Sequence, residues 1–174
     1  MSVEDKLLQL ARQRESETNG ALLAILVDRP DYLLRQIRAY LARQADLGRM
    51  KHTNEKIVQL DTVQGGLNQL ACPDIRFSSG TRVNFDIELE PSQTGWLVRR
   101  FRFHVHLGQP RNIKMVRVHL NPDTSHDPVT IPRCHMHVDN SEAHVPFPVM
   151  HPCLILHIIC EQVELDFGGD PRAC

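Results

Sequence analysis

Two pairs of histidines, each separated by one residue, are the side chains of this chain best suited to chemistry. They are His104 with His106 and His135 with His137. Side chains two residues apart on a β-strand point to the same face, so each pair presents two imidazoles together. Imidazole ligates zinc-class metals and, with an ordinary pKa of about 6.5, also acts as an acid or base near neutral pH. The pairs therefore predict either a metal site or a catalytic site.

Three arginines share the predicted faces of these histidine pairs. Arg102 precedes His104 by two residues, Arg133 precedes His135 by two residues, and Arg117 lies on a third segment of the same pattern. The rigid fork of guanidinium donors matches the oxygens of a phosphate. The whole predicted polar face comprises Arg100, Arg102, His104, His106, Arg117, His119, Arg133, His135 and His137.

Metal-independent RNA cleavage is the first function that this face predicts. The reaction needs a base for the 2′-hydroxyl proton and an acid for the leaving oxygen, and two histidines can supply both. Cations must also stabilise the charge that builds on the phosphorus centre. No cofactor is expected for this reaction. The predicted catalytic residues are His135, His137, His104 and His106, and the predicted phosphate-binding residues are Arg102, Arg117 and Arg133.

Two other functions fit the same residues. The face could bind a protein or nucleic-acid partner without catalysis. Alternatively, the two His-x-His pairs could ligate zinc or a similar divalent ion. The neighbouring arginines oppose a bound cation, so a metal site would need carboxylates such as Asp86 and Glu88 to offset their charge.

The segments that carry these residues alternate apolar and polar side chains, as half-buried β-strands do. The clearest alternation covers residues 82–89, 100–107, 114–120 and 133–138, and a weaker strand is predicted at 57–63. We therefore predict an α+β fold with an antiparallel sheet of about four to five strands. One face of this sheet is expected to be apolar and the other polar.

Helical patterns flank the predicted strands. Residues 1–50 form a helical N-terminal segment, in which Pro30 suits the first turn of a helix that Gly48 ends. Pro152 opens a C-terminal helix so apolar that we expect it to be buried. The N-terminal helices and this helix are predicted to cover the apolar face of the sheet. We assign residues 51–167 to the sheet and C-terminal helix of a single domain overall, and 168–174 to a loose tail.

Composition limits the classes of function. The 174 residues are 41% apolar and 24% charged, which fits one globular domain. The net charge of -1 gives no global basic field, so contact with RNA would need a local patch. The five cysteines contain no CxxC pair and are expected to be reduced, with Cys134 on the apolar face. We find no signal-peptide pattern and no membrane-spanning run, and we expect a cytoplasmic protein.

The stretches VRVHLNPDTSHDPVTIPRCHMHV and HPCLILHIICEQV resemble the C-terminal core of the TumE-like toxins of bacterial toxin–antitoxin pairs. The resemblance spans residues 101–163, and the matching residues are Arg117, Pro122, His126, Pro132, His135 and His137. Val118, His119 and Leu120 stand where the family has Tyr-Asp-Asn, and one extra residue separates Pro132 from His135. The resemblance implies an antiparallel α+β fold and a ribonuclease-type toxin that acts on RNA. It also implies a cognate antitoxin or another protein partner.

Overall fold

The two longest strands of the sheet show how alternation builds the core. The structure, a computed structural model, describes residues 25–50, 57–108, 113–122 and 131–163. Every second side chain is buried from Val83 to Leu89 in β4 (Arg82–Ser92) and from Phe101 to Val105 in β5 (Gly95–His106). Phe85 stacks on Phe103 with ring centroids 5.2 Å apart. Burial of these apolar side chains is the main favourable contribution to the stability of the sheet.

All strand pairs in the described chain are antiparallel. The remaining strands are β1 (Leu26–Val27), β2 (Gln59–Thr62), β3 (Asn68–Arg76), β6 (Met115–Leu120), β7 (Cys134–Val138) and β8 (Val145–Pro146). The strand order is β2-β3-β4-β5-β6-β7-β8, and β1 pairs with the first part of β5. This order places β6 between β5 and β7, so the two His-x-His strands are not neighbours.

The α+β class and the antiparallel sheet are confirmed, but the predicted strand number is too small. Within the described residues the sheet has eight strands rather than four to five. The strands β1 and β8 have only two residues each, too few to show an alternating pattern. In β3, a register shift between Cys72 and Ile75 interrupts the alternation. Such a bulge moves the later apolar residues out of the period of two.

Helix α1 (Pro30–Asp46) packs against β2 and β3 and begins and ends as predicted. Pro30 lies in its first turn, and Gly48 adopts the left-handed conformation with φ of 71° just beyond its end. Leu33, Ile37 and Leu41 form its buried stripe. The predicted helix before residue 25 and the predicted tail at 168–174 lie outside the described residues.

The C-terminal helix begins at Pro152 as predicted, but not all of its apolar side chains are buried. Helix α2 (Pro152–Ile158) continues as a π-helical turn (Ile159–Val163). Ile155 and Leu156 are buried, whereas the side chain of Leu154 is 47% exposed. Apolar composition alone therefore overstated the burial of this helix. None of the helices in the described residues combines the length and the hydropathy needed to cross a membrane.

Candidate metal centre

The register between β6 and β7 brings three histidines together. His119 on β6 pairs with His135 on β7, and Arg117 pairs with His137. The His119 ring therefore lies 5.4 Å from the His135 ring and 5.3 Å from the His137 ring, measured between centroids. The rings of His135 and His137 are 4.9 Å apart. Cross-strand pairing thus converts one His-x-His pair into a three-histidine cluster.

The cluster of His119, His135 and His137 could hold a metal ion. One ring nitrogen from each lies within 4.8 Å of the others. Zinc–nitrogen bonds of about 2.0–2.1 Å at tetrahedral angles separate two ligand atoms by about 3.3 Å. Small rotations of the side chains would therefore close the three nitrogens around an ion.

Backbone carbonyls orient two of the three rings. His135 Nδ1 lies 2.7 Å from the carbonyl oxygen of Pro132, and His137 Nδ1 lies 3.3 Å from that of Ser141. A carbonyl oxygen only accepts hydrogen bonds, so both Nδ1 atoms carry the proton and donate it. The Nε2 atoms of His135 and His137 are then left with their lone pairs, as in metal sites where an outer partner fixes the tautomer of a ligand.

The third ring is held by another histidine. His119 Nε2 lies 3.1 Å from His104 Nε2, so one of these nitrogens donates and the other accepts. When His119 is the donor, its Nδ1 keeps a lone pair, and His104 plays the part that the carbonyls play for the other two rings. His106, the second member of the first pair, lies opposite Met115 and makes no ring contact with the cluster among the described residues.

Burial favours the neutral form of the cluster histidines. His135 and His137 are buried, with exposed fractions of only 2% and 7%. Removal from water lowers the pKa of both, and it lowers the pKa of His119 to about 3, with the nearby His104 and His135 adding to the effect. Desolvation followed by the charges of Arg102 and Arg117 also lowers the pKa of His104. Neutral imidazole is the form that ligates metals.

Carboxylates neutralise the arginines of the neighbouring strands. Arg102 Nε donates to Asp86 Oδ2 at 2.8 Å, and Arg100 Nη2 donates to Glu88 Oε2 at 3.1 Å. Arg99 Nη1 also donates to Glu88, at 3.0 Å. Asp86 and Glu88 thus offset the charges of the arginines on β5, and Arg102 is committed to Asp86.

The other two predicted phosphate-binding arginines have different surroundings. Arg133 lies just before β7 and is buried, at 7% exposure, rather than presented on an open face. Arg117 lies beside His137, and its Nη2 donates to the carbonyl oxygens of Asp139 and Ser141 at 3.0 and 3.5 Å. Of the three, Arg117 is the arginine that the structure places next to the cluster.

The connection from β7 to β8 carries a further histidine to the cluster. The ring of His144 lies 4.7 Å from that of His135 and 4.6 Å from that of His137. Asp139 fixes the start of this connection, because its carboxylate accepts from the backbone N–H groups of Lys114 and Met115 at 2.6 and 2.9 Å. Asp139 adopts a φ of 52°, which Asp tolerates better than most residues.

The structure brings some of the predicted site residues together and separates others. His135 and His137 lie in the cluster and His104 contacts it, whereas His106 and Arg102 lie apart. His119 was placed on the polar face but not chosen, although it alternates with Arg117 on the same strand. His144 was not selected as a site residue, because nothing local to a loop residue predicts that it folds back onto β7. His126 lies outside the described residues.

No family model, curated protein or solved structure matches this chain.

Proposed function

We propose that this protein binds a zinc-class divalent metal ion through His119, His135 and His137. The observation that carries the proposal is the convergence of three imidazoles, one ligand nitrogen from each lying within 4.8 Å of the others. One ring nitrogen of each histidine has a hydrogen-bond partner: the carbonyl of Pro132 for His135, the carbonyl of Ser141 for His137 and the ring of His104 for His119. Such outer partners are typical of metal-ligating histidines.

The ligand set indicates which metals and which chemistry. Imidazole nitrogens suit zinc, copper, iron and nickel, whereas calcium and magnesium prefer oxygen ligands. Three protein ligands leave a coordination position for water or a substrate, which is the arrangement of catalytic zinc sites. A bound ion of this kind supplies Lewis acidity for hydrolysis. We infer that hydrolytic chemistry is the activity this site is best suited to support.

Metal-independent ribonuclease cleavage by His135 and His137 is the second candidate function. It would make RNA the substrate, and a toxin role would add an antitoxin as protein partner. Arg117 beside His137 favours it, since a cation next to a base suits phosphodiester chemistry. A lowered pKa suits the base of that reaction but weakens the acid, because the acid must carry a proton near neutral pH. For this reason we rank the metal site above metal-independent cleavage. We also propose that the protein is cytoplasmic.

Cobalt(II) titration of metal-free protein tests the proposal. We expect one ion per chain and the intense visible absorption bands of a low-symmetry, nitrogen-bound cobalt site. His119→Ala and the double variant His135→Ala/His137→Ala should lose these bands. His106→Ala is the matched control, because it removes a strand histidine that lies outside the cluster, and it should bind as the wild type does.

Two results would contradict the proposal. One is the absence of stoichiometric cobalt binding by folded protein. The other is binding that survives the loss of His119. Cleavage of RNA in the presence of a chelator, abolished by His137→Ala, would instead support the metal-independent candidate.

A further inference from the structure

A cavity adjoins the three-histidine cluster and shares one of its residues. It has a volume of about 470 Å³ and is lined by Arg117, His137, Asn140, Ser141, Glu142 and His144. Small-molecule sites are commonly concave and about 300–1,000 Å³ in volume. Because His137 belongs to both the cavity and the cluster, a molecule in the cavity would lie beside a metal bound by the cluster.

Arg117 gives the cavity wall a positive charge, and among the described residues its guanidinium forms no ion pair with a carboxylate. On the neighbouring strand β5, by contrast, Arg99, Arg100 and Arg102 all form ion pairs with carboxylates. The hydrogen bonds of Arg117 run from Nη2 to carbonyl oxygens, which carry no net charge. They hold the guanidinium in place without neutralising it, as a binding site for an anion requires.

The charges around the cavity can be compared with those of possible ligands. A divalent metal would bring two positive charges, Arg117 adds a third, and the carboxylate of Glu142 removes one. Glu142 is exposed, so water and salt screen its charge more than they screen the charges beside the buried histidines. The remaining excess of positive charge matches a doubly charged anion better than a cation or a neutral molecule.

We propose that this cavity binds the phosphate group of a small phosphate ester, held by Arg117 next to the metal. The proposal rests on the metal site proposed above and names its ligand class. Guanidinium recognises phosphate oxygens through paired donors, and Asn140 and Ser141 provide further polar groups on the same wall.

The test uses the cobalt-loaded protein with inorganic phosphate and phenyl phosphate as probes. Either probe should change the visible spectrum of the cobalt in a saturable way. Arg117→Gln should raise the half-saturating concentration at least 10-fold, because a charged donor is lost, while cobalt stoichiometry stays at one. Arg102→Gln is the matched control, since that arginine is already paired with Asp86, and it should bind phosphate as the wild type does. Acetate, with one negative charge, should bind more weakly than phosphate.

Glu142→Gln keeps the proposal testable should Arg117→Gln fold poorly. Glu142 is exposed, so the change leaves the core intact, and removal of a nearby negative charge should tighten phosphate binding by about two- to five-fold. Weaker phosphate binding by Glu142→Gln, or equal losses in Arg117→Gln and Arg102→Gln, would overturn the phosphate site. A cobalt spectrum that phosphate leaves unchanged would also overturn it, while the metal site itself would stand. Absence of cobalt binding would overturn both proposals together.

Discussion

At the scale of single residues, the contact between His104 and His119 decides how the third ring of the cluster is held. The Nε2 atoms of His104 and His119 are 3.1 Å apart. The rings of His135 and His137 are held instead by backbone carbonyls, which a side-chain substitution cannot remove. His104 is therefore the side chain through which the orientation of the cluster can be changed without removal of a proposed ligand. We regard it as a positioning residue.

His104→Ala should weaken cobalt binding about 10- to 100-fold, the usual effect of losing an outer partner of a metal ligand. His104→Gln should restore much of the affinity, because its amide oxygen can accept a hydrogen bond as the imidazole does. The cobalt spectrum and dissociation constant of each variant, beside those of His106→Ala, measure the effect. Equal affinities for His104→Ala and the wild type would show that the contact does not orient the site.

Alternation placed His119, His135 and His137 on the polar face, but it could not bring them together. Their contact depends on the register of β6 against β7, which pairs His119 with His135. Because one sequence is compatible with several registers, the pattern along each strand does not fix the pairing between strands. The same uncertainty allowed His106 to be chosen, although its partner is Met115.

At the scale of elements, a polar contact ties the end of α1 to the π-helical turn. Arg49 Nη1 lies 2.7 Å from Glu161 Oε1, and the amide of Gln44 donates to the same oxygen at 3.1 Å. Gln44 is 1% exposed, so the contact borders the core. The hydrogen bond from Arg49, followed by that from Gln44, lowers the pKa of Glu161 below its ordinary value of 4.5.

This contact predicts a dependence of stability on pH. A carboxylate whose pKa is lowered by folding stabilises the protein above its unfolded pKa, and the contribution is lost as pH falls through the folded pKa. The free energy of unfolding of Glu161→Gln should therefore be lower than that of the wild type at pH 7. The two values should converge as the pH falls below about 4.5. Urea unfolding at pH 7 and at pH 3.5 measures the difference. A difference of the same size at both pH values would contradict the assignment.

The boundaries of α1 could be predicted because local chemistry determines them. Pro30 suits a first turn, and Gly48 adopts the positive φ that ends a helix. The change from α2 to a π-helical turn at Ile159 could not be predicted, since the apolar pattern continues through it. The exposure of Leu154 likewise depends on which face of a uniformly apolar helix meets the sheet.

At the scale of the whole molecule, the antiparallel sheet separates an apolar face, which forms the core, from a polar face that carries the histidines. The cluster joins β6 to β7, and His104 extends it to β5. A metal ion bound there would cross-link strands near one end of the sheet. Because the ligands converge only when the sheet is formed, the ion would bind the folded state in preference to the unfolded one.

Zinc should therefore stabilise the whole fold. At a free concentration 100 times its dissociation constant, a ligand that binds only the folded state adds about 2.7 kcal/mol to the free energy of unfolding. Thermal unfolding with and without zinc should show this increase as a higher Tm for the wild type and for His106→Ala. His119→Ala should show no comparable increase. An equal increase in Tm for His119→Ala would place the stabilising ion elsewhere.

X-ray absorption at the zinc edge of the zinc-loaded protein tests the central claim most directly, because it reports the atoms that surround the ion. The three-histidine site predicts imidazole nitrogens at about 2.0–2.1 Å, with outer-shell scattering from the rings that diminishes in His119→Ala. Sulfur ligands at about 2.3 Å, or a zinc environment that His119→Ala leaves unchanged, would contradict the site.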